Sequence, residues 1–479
     1  MQTWQKLKGL LSKFMIMKKA LFLLLAPFIL TVEAQYHKQI DEYLLAESAI
    51  KNFNGNVLVA KGEQVIYQQA FGYSNYDTKE PLKNNSMFEI ASITKPFVSL
   101  AIFQLKEQGK LRLSDTLRKF IPELPYYNVT LYQMLTHTSG LPDYLEVFDT
   151  KWDKSKIANN KDVIAFVIKQ KLALSFKPGE KCEYSNLGYE LLAVVVERVS
   201  GQSFPEYLQK HICKPLGMHN TRVYTRRALP EMIPNYAYGY VSDSVGRYFL
   251  PDSLPQLSWV SRSDGIYGSG SISSTTGDLY LFDRALKNYT LLNKAAQQEM
   301  LKPRVLWDTA ASVYWNFASV KTGSNEFGDY LHAGPSGWPG YAGDVIRYVK
   351  GDVVIIVLSN NESQVANISG AIAYILNDKL IVKPYRHKET KIDTTILQLY
   401  KGVYNIPNVP KPVSVNIFSR DGKLFFTMIK DTTELKPESS TKFFAANGKD
   451  IQIEFIPGKG KAVRSYFIAN SIKKEMNKQ

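Results

Sequence analysis

Ser92-Ile93-Thr94-Lys95 places a hydroxyl and an amine at a spacing that can support nucleophilic chemistry. Three residues apart on a helix, two side chains share one face within roughly 5–6 Å. Pro96 is best tolerated in a first helical turn, which pins a helix start close to Ser92. A serine at that point sits in the positive end of the helix dipole, with an amine beside it to take its proton. That is the arrangement of an activated serine, the nucleophile of acyl transfer. The tetrapeptide alone is common in helices, and an ordinary helix start is its plainest reading.

The flanking elements follow from periodicity. Residues 55–72, GNVLVAKGEQVIYQQAFG, read as two β-branched strands around a Lys61-Gly62-Glu63 turn. Helical spacing of apolar residues runs from about Ser92 to Gly109 and again from Tyr189 to Ser200. After Trp315 strands return at Tyr330–Ala333, Gly343–Tyr348 and Asp352–Leu358, and a helix follows over about Ser363–Leu376. Strands at both ends with helices between predict an α/β (α+β) domain whose terminal segments pair in one antiparallel sheet flanked by helices. The charged stretch 383–393 reads as a linker. Residues 394–479 read as a small β-rich module, with strands broken at Asp421-Gly422 and Gly458-Lys459-Gly460.

Composition narrows the function. At 45% apolar and 22% charged residues the 479-residue chain is neither disordered nor fibrous. The net charge of +15 gathers in the first 34 residues and beyond 380, while the large middle segment is close to neutral. A nucleic-acid enzyme would place its basic excess around its working groove, so no nucleic-acid partner is expected. The basic module has a solvated face as its bland reading and an anionic envelope surface as its functional one. From Met17 the chain reads MKKALFLLLAPFILTVEAQ, the order of charge, apolar core and small residues of a secretory signal peptide over 1–34. Met15 or Met17 then becomes the expected start, and the mature chain is expected to be exported, periplasmic or extracellular. Only Cys182 and Cys213 are present, as a disulfide or as two buried thiols. Two cysteines and six scattered histidines offer no metal-ligand spacing.

Three separated segments carry a resemblance: FEIASITKPFVSLAIFQLKEQGKLRLSDTLRKFIPEL (88–124), VTLYQMLTHTSGLPDY (129–144) and FKPGEKCEYSNLGYELLAVVVERVSGQSFPEYLQKHICKPLGMHNTR (176–222). In this order they resemble the serine β-lactamase-related family of class C β-lactamases, D-alanyl-D-alanine carboxypeptidases, D-aminopeptidases and several esterases. The resemblance extends from about Gly55 to Ile375 and implies a β-lactamase/transpeptidase-like domain over 35–382. It implies that Ser92 is the nucleophile and Lys95 its proton acceptor. Tyr184-Ser185-Asn186 matches the family's Tyr-x-Asn, with Tyr184 sharing proton transfer and Asn186 holding substrate and Lys95. Read without the family, Tyr184 is a half-buried aromatic before a helix.

The family's third box, Lys-Thr-Gly or His-x-Gly, has two candidates. Lys321-Thr322-Gly323 has the lactamase letters, but a polar turn and an extra strand then separate it from the terminal hairpin. His332-Ala333-Gly334 stands in the family's order, so His332 and Gly334 are expected to orient substrate and the Lys321 triplet is expected to be a decoy. The resemblance also implies two oxyanion donors, one from Ser92 N–H and one from the residue just past the third box. That residue is Pro335, which has no N–H. The second donor is therefore expected from a shifted register, at Ser336 or Gly337, or the hole is defective and the protein a silent penicillin-binding-like one. His137 reads as a structural hydrogen-bonding residue, and Ser273–Thr276 as a helix cap. The expected activity is ester or amide hydrolysis through an acyl-enzyme on Ser92, with no metal or organic cofactor, on a small molecule or peptide that includes peptidoglycan-derived fragments. A D-Ala-D-Ala carboxypeptidase or class C-like β-lactamase is the alternative; a histidine anchor, with its ordinary pKa near ~6.5, favours the esterase or D-amino-acid peptidase.

Overall fold

The computed structural model describes residues 34–228, 232–407, 413–429, 431–457 and 463–479. The leader read over 1–34 lies outside them apart from Ala34, as does the turn at Gly458-Lys459-Gly460. Among the described residues no helix is long and apolar enough to cross a membrane.

Eight strands form one antiparallel sheet: β1 (Gly55–Lys61), β2 (Gln64–Phe71), β3 (Val305–Asp308), β4 (Val313–Trp315), β5 (Lys321–Asn325), β6 (Gly328–Trp338), β7 (Tyr341–Tyr348) and β8 (Val353–Ser359), in the order β3-β4-β5-β6-β7-β8-β1-β2. The two ends of the domain meet in it, β1 running antiparallel to β8 from Gly55↔Ser359 to Lys61↔Val353. Neither strand could bury both of its faces through local contacts. Val57–Ala60 of β1 and Val353–Leu358 of β8 are apolar throughout because both sheet faces are covered there. Successive side chains alternate between two cores. Val57, Val59, Ile355 and Val357 join helix α1 (34–51) and helix α5 (Val365–Leu376). Leu58, Ala60, Val354, Ile356 and Leu358 face helices α2 (Lys95–Glu107), α3 (Asn186–Ser200) and α4 (Thr276–Lys287). Thr275, within the stretch read as a cap, accepts from Asp278 N and starts α4.

The C-terminal module is a closed barrel of eight antiparallel strands, from β9 (Gly402–Ile406) to β16 (Ile472–Lys478), in which Tyr404 pairs with Lys478. Closure removes the exposed edges that an open sheet of this size would leave. Arg420 and Lys423 flank a two-residue turn in which Asp421 (φ 51°) and Gly422 (φ 72°) are both left-handed, the turn that matches strand twist. Residues 383–393 carry no helix or strand. They lie along the barrel wall, with Thr390 N donating to Pro437 O at 2.9 Å. Lys474–Glu326 (3.0 Å) and Lys51–Asp450 (2.7 Å) join barrel and first domain. Cys182 and Cys213 are separate free thiols, each raised by burial, to about 11 and about 12.

Candidate active site

Ser92 stands in a short 3-10 turn, Ala91–Thr94, that runs directly into α2 at Lys95-Pro96. Ala91 adopts a left-handed φ of 46°, a conformation that costs a non-glycine residue about 1–3 kcal/mol and clusters at functional sites. Lys95 is fully buried and its Nζ donates to three acceptors: Ser92 Oγ (3.2 Å), Asn186 Oδ1 (3.0 Å) and Ser269 O (2.9 Å). An ammonium has three donors, so this one is committed in full. The Tyr184 hydroxyl lies 2.8 Å from Ser92 Oγ, and Lys95 Nζ sits 4.7 Å from the Tyr184 ring centroid. The four residues read from the first two boxes, Ser92, Lys95, Tyr184 and Asn186, thus form one hydrogen-bonded cluster, with Lys95 and Tyr184 both on the Ser92 hydroxyl.

His137 supports this group from behind Tyr184. Its ring stacks on Tyr184 at 4.5 Å. Nδ1 accepts from Ser185 N (3.2 Å), so Nε2 carries the proton and donates to Ser319 Oγ (2.9 Å). Burial, aided by nearby Lys95, lowers its pKa to about 3, and the ring is neutral. A neutral wall behind Tyr184 adds no charge to compete with Lys95.

The third box needs correction. His332 does not face the nucleophile: its Nε2 lies 2.6 Å from Asp344 Oδ1, a carboxylate only 1% exposed. A buried carboxylate requires a partner, and His332 supplies it. Lys321, expected to be a decoy, pairs directly with His332 across the β5/β6 ladder. Its longer side chain reaches back to Gly334 O (3.1 Å) and lines a cleft of about 260 Å³ with Ser92, Tyr184, Trp307, Trp315 and Gly334. Burial holds the Lys321 ammonium below the ordinary lysine value, against the opposing pull of Asp344 and Tyr184. The extra strand is present as expected, but it brings Lys321 into the site instead of removing it.

The register also selects the second oxyanion donor. β5 stops pairing at His332, so β6 has an open edge from Ala333 onward, facing the turn that carries Ser92. Trp338 and Tyr341 flank a two-residue hairpin turn and form a hydrogen-bonded pair. Pair types alternate, so Gly337↔Ala342 is non-hydrogen-bonded and Ser336↔Gly343 is hydrogen-bonded. Gly337 N–H therefore points off the open edge, and Ser336 N–H points into the ladder. The Ser336 side chain is buried, its Oγ 3.2 Å from both Ile90 O and Gly343 O. Of the two positions expected for the second donor, Ser336 and Gly337, only Gly337 turns its N–H to the open edge, and it lines the cavities on both sides of Ser92. Pro335 lies in the bulge upstream and leaves this parity untouched.

Beyond Ser92 on the α3 side lies a second, smaller cavity of about 90 Å³, lined by Asn186, Glu190, Tyr144, Trp338 and Ser269 among others. Glu190 had no signal in the sequence beyond its position four residues after Asn186, one turn along the same face of α3. It is 3% exposed, accepts from Ser269 Oγ at 2.8 Å, and is raised by burial to about 7.

An antiparallel sheet in which both ends of the first domain meet, with Ser92 where it adjoins a helical region, is the arrangement of the serine β-lactamase fold. The chain belongs to the family described as Beta-lactamase, whose model matches residues 46–376. It is 38% identical over 426 residues to penicillin-binding protein 4* of Bacillus subtilis (strain 168), covering 87% of this chain and 92% of that protein. A penicillin-binding protein from Bacillus halodurans superposes with a TM-score of 0.61 at 27% identity, over 69% of this chain and 98% of that one. The D-amino acid amidase from Ochrobactrum anthropi SV3, in a structure complexed with L-phenylalanine amide, shares the fold at a TM-score of 0.58 and 20% identity, over 72% of this chain and 98% of that one.

Proposed function

We propose that the protein is an exported serine hydrolase that cleaves an ester or amide, as an esterase or a D-amino-acid peptidase, through an acyl-enzyme on Ser92. The observation that carries this reading is the convergence of Lys95 Nζ and the Tyr184 hydroxyl on Ser92 Oγ. In the form of the Tyr184–Lys95 pair that lacks one proton, Ser92 Oγ attacks the substrate carbonyl carbon and its own proton passes to that pair. The oxyanion forms between the N–H groups of Ser92 and Gly337. Collapse breaks the bond to the leaving alkoxide or amine, which takes that proton. Water then attacks the ester and gives up a proton to the same pair. The acid departs and Ser92 regains its hydrogen. Asn186 holds both Lys95 and the substrate amide.

Intact-mass labelling with a fluorophosphonate, and separately with a penicillin, tests the reading on wild type and Ser92→Ala. One adduct per chain that disappears in the variant is expected. Folded protein that takes neither probe refutes an activated serine and leaves a silent binding protein. The D-Ala-D-Ala carboxypeptidase or class C-like β-lactamase reading has one observation in its favour, the Lys321 cation in the cleft beside Ser92. Such a cation suits a substrate carboxylate. The basic barrel is proposed to meet an anionic envelope surface. The full chain should sediment with anionic vesicles at low salt and release at high salt; no binding at low salt sinks that part of the proposal.

A further inference from the structure

Two cavities meet at Ser92, and acyl transfer there must place one half of the substrate in each. Gly337, the second oxyanion donor, lines both. The half that stays on Ser92 as the ester needs walls around it, and the half that departs needs a way out. The smaller cavity, about 90 Å³, is the more enclosed, and the Lys321 cleft, about 260 Å³, is the more open. The small cavity therefore suits the acyl half and the Lys321 cleft the leaving group.

The charged groups of the small cavity are already paired. Arg227 holds Asp264 (2.9 Å) and Glu89 (3.8 Å). Glu190 accepts from Ser269 Oγ (2.8 Å) and is faced by the Tyr144 hydroxyl. Leu145, Val260, Ile266 and Trp338 give the space its apolar surface. Trp338 is the bulkiest of them, and it is fixed in place. It ends β6 one residue past Gly337, paired with Tyr341 at the start of β7. That hairpin is clamped on residues 237–240. The Tyr341 hydroxyl donates to Ala237 O (2.8 Å), and a Cβ on Gly340 (φ 85°) would fall 2.6 Å from Gly239 C. Trp259 packs edge-on against the Trp338 indole, with ring centroids 5.0 Å apart. Trp259 in turn opens a helical turn, Trp259–Arg262, that is tied down by Arg262: its side chain pairs with Asp149, and its carbonyl accepts from Ala158 N at 2.8 Å. A water-sized group takes about 30 Å³, so about three such groups fill the space these walls leave.

We infer that Trp338, backed by Trp259, is a specificity residue that limits the acyl half of the substrate to a short chain, about three non-hydrogen atoms beyond the carbonyl. The inference rests on the acyl-enzyme reading above and narrows it to short-chain acyl esters and amides. A carboxypeptidase trimming the end of a long peptide would have to seat that peptide on the acyl side, where Trp338 stands.

The test measures kcat/KM for p-nitrophenyl acetate, butyrate and octanoate, which share one leaving group. It uses the full chain as wild type, Trp338→Phe and Trp338→Ala. Wild type should prefer acetate and butyrate over octanoate. Trp338→Ala should raise the octanoate-to-acetate ratio by about 10- to 200-fold, the range that one methylene of pocket fit is worth, with Trp338→Phe in between. A flat wild-type profile, or a preference for octanoate, overturns the proposal. So does a folded Trp338→Ala that slows all three esters alike and leaves the ratio intact, as a merely structural residue beside Gly337 would. If the alanine variant does not fold, Trp338→Phe decides: a raised ratio supports the proposal and an unchanged one overturns it. Fluorophosphonate labelling of Ser92 runs alongside. Labelling without the chain-length preference defeats this inference alone; absence of labelling defeats the parent reading and the inference with it.

Discussion

Replacing Gly337 by proline would delete one N–H from the oxyanion hole while sparing most of the fold. Gly337 occupies a non-hydrogen-bonded pair on the open edge of β6, so its N–H has no ladder partner to lose. Proline is tolerated at such outward-facing edge positions. A Cβ at this residue meets nothing closer than Tyr341 O at 3.8 Å, which makes Gly337→Ala a fair control that keeps the N–H. Removing one oxyanion donor costs about 10²- to 10³-fold in kcat, or ~3–4 kcal/mol. The assay is kcat on an activated ester together with the rate of fluorophosphonate labelling, with thermal melting to confirm folding. Gly337→Pro should fall by that factor, while Gly337→Ala stays near wild type. A folded Gly337→Pro that turns over like wild type would refute the register argument. An equal loss in both variants would show that bulk matters and the N–H does not.

The remaining predictions concern the two charges that flank the nucleophile. Lys321→Met should raise KM roughly tenfold for a substrate whose leaving group ends in a carboxylate, and less for a neutral ester, read by steady-state kinetics on the pair. An equal effect on both substrates would show that Lys321 does not contact the leaving group. The Glu190 carboxyl rises from its ordinary 4.5 to about 7, because burial outweighs Ser269, Tyr144 and Lys95 on the lowering side, with Asp143 adding to the rise. A group raised on folding stabilises the native state below its unfolded pKa and loses that contribution as pH climbs through its folded one. The native state should therefore lose up to ~3 kcal/mol between about pH 4.5 and 7 from this group alone. Across the cavity Arg227 is paired with Glu89 and Asp264. Glu190→Gln should accordingly melt higher than wild type at pH 8 and close to it at pH 5. Identical melting at both pH values would contradict the buried-carboxyl account.

The sequence by itself determined whatever depends on local spacing or on one strand's alternation. Ser92 and Lys95 are placed by three residues of backbone, and Pro96 marks where the helix takes over. The apolar runs in residues 55–61 and 353–358 already read as strands of one antiparallel sheet flanked by helices, and the resemblance around Tyr184-Ser185-Asn186 put that segment beside the serine. Tertiary structure decided whatever depends on register between segments distant along the chain. His332 and Lys321 are direct cross-strand partners, so their letters and order could not say which side chain enters the cleft. That outcome was set by a buried Asp344, which claims the histidine. Whether Ser336 or Gly337 turns its N–H toward the serine is a matter of pair parity, and a shift of one residue along the strand reverses it. Glu190 was invisible for the same reason. A glutamate within an apolar helix comes to line a cavity beside Ser92 only when Ser269 and Tyr144, far from it in sequence, pack around it.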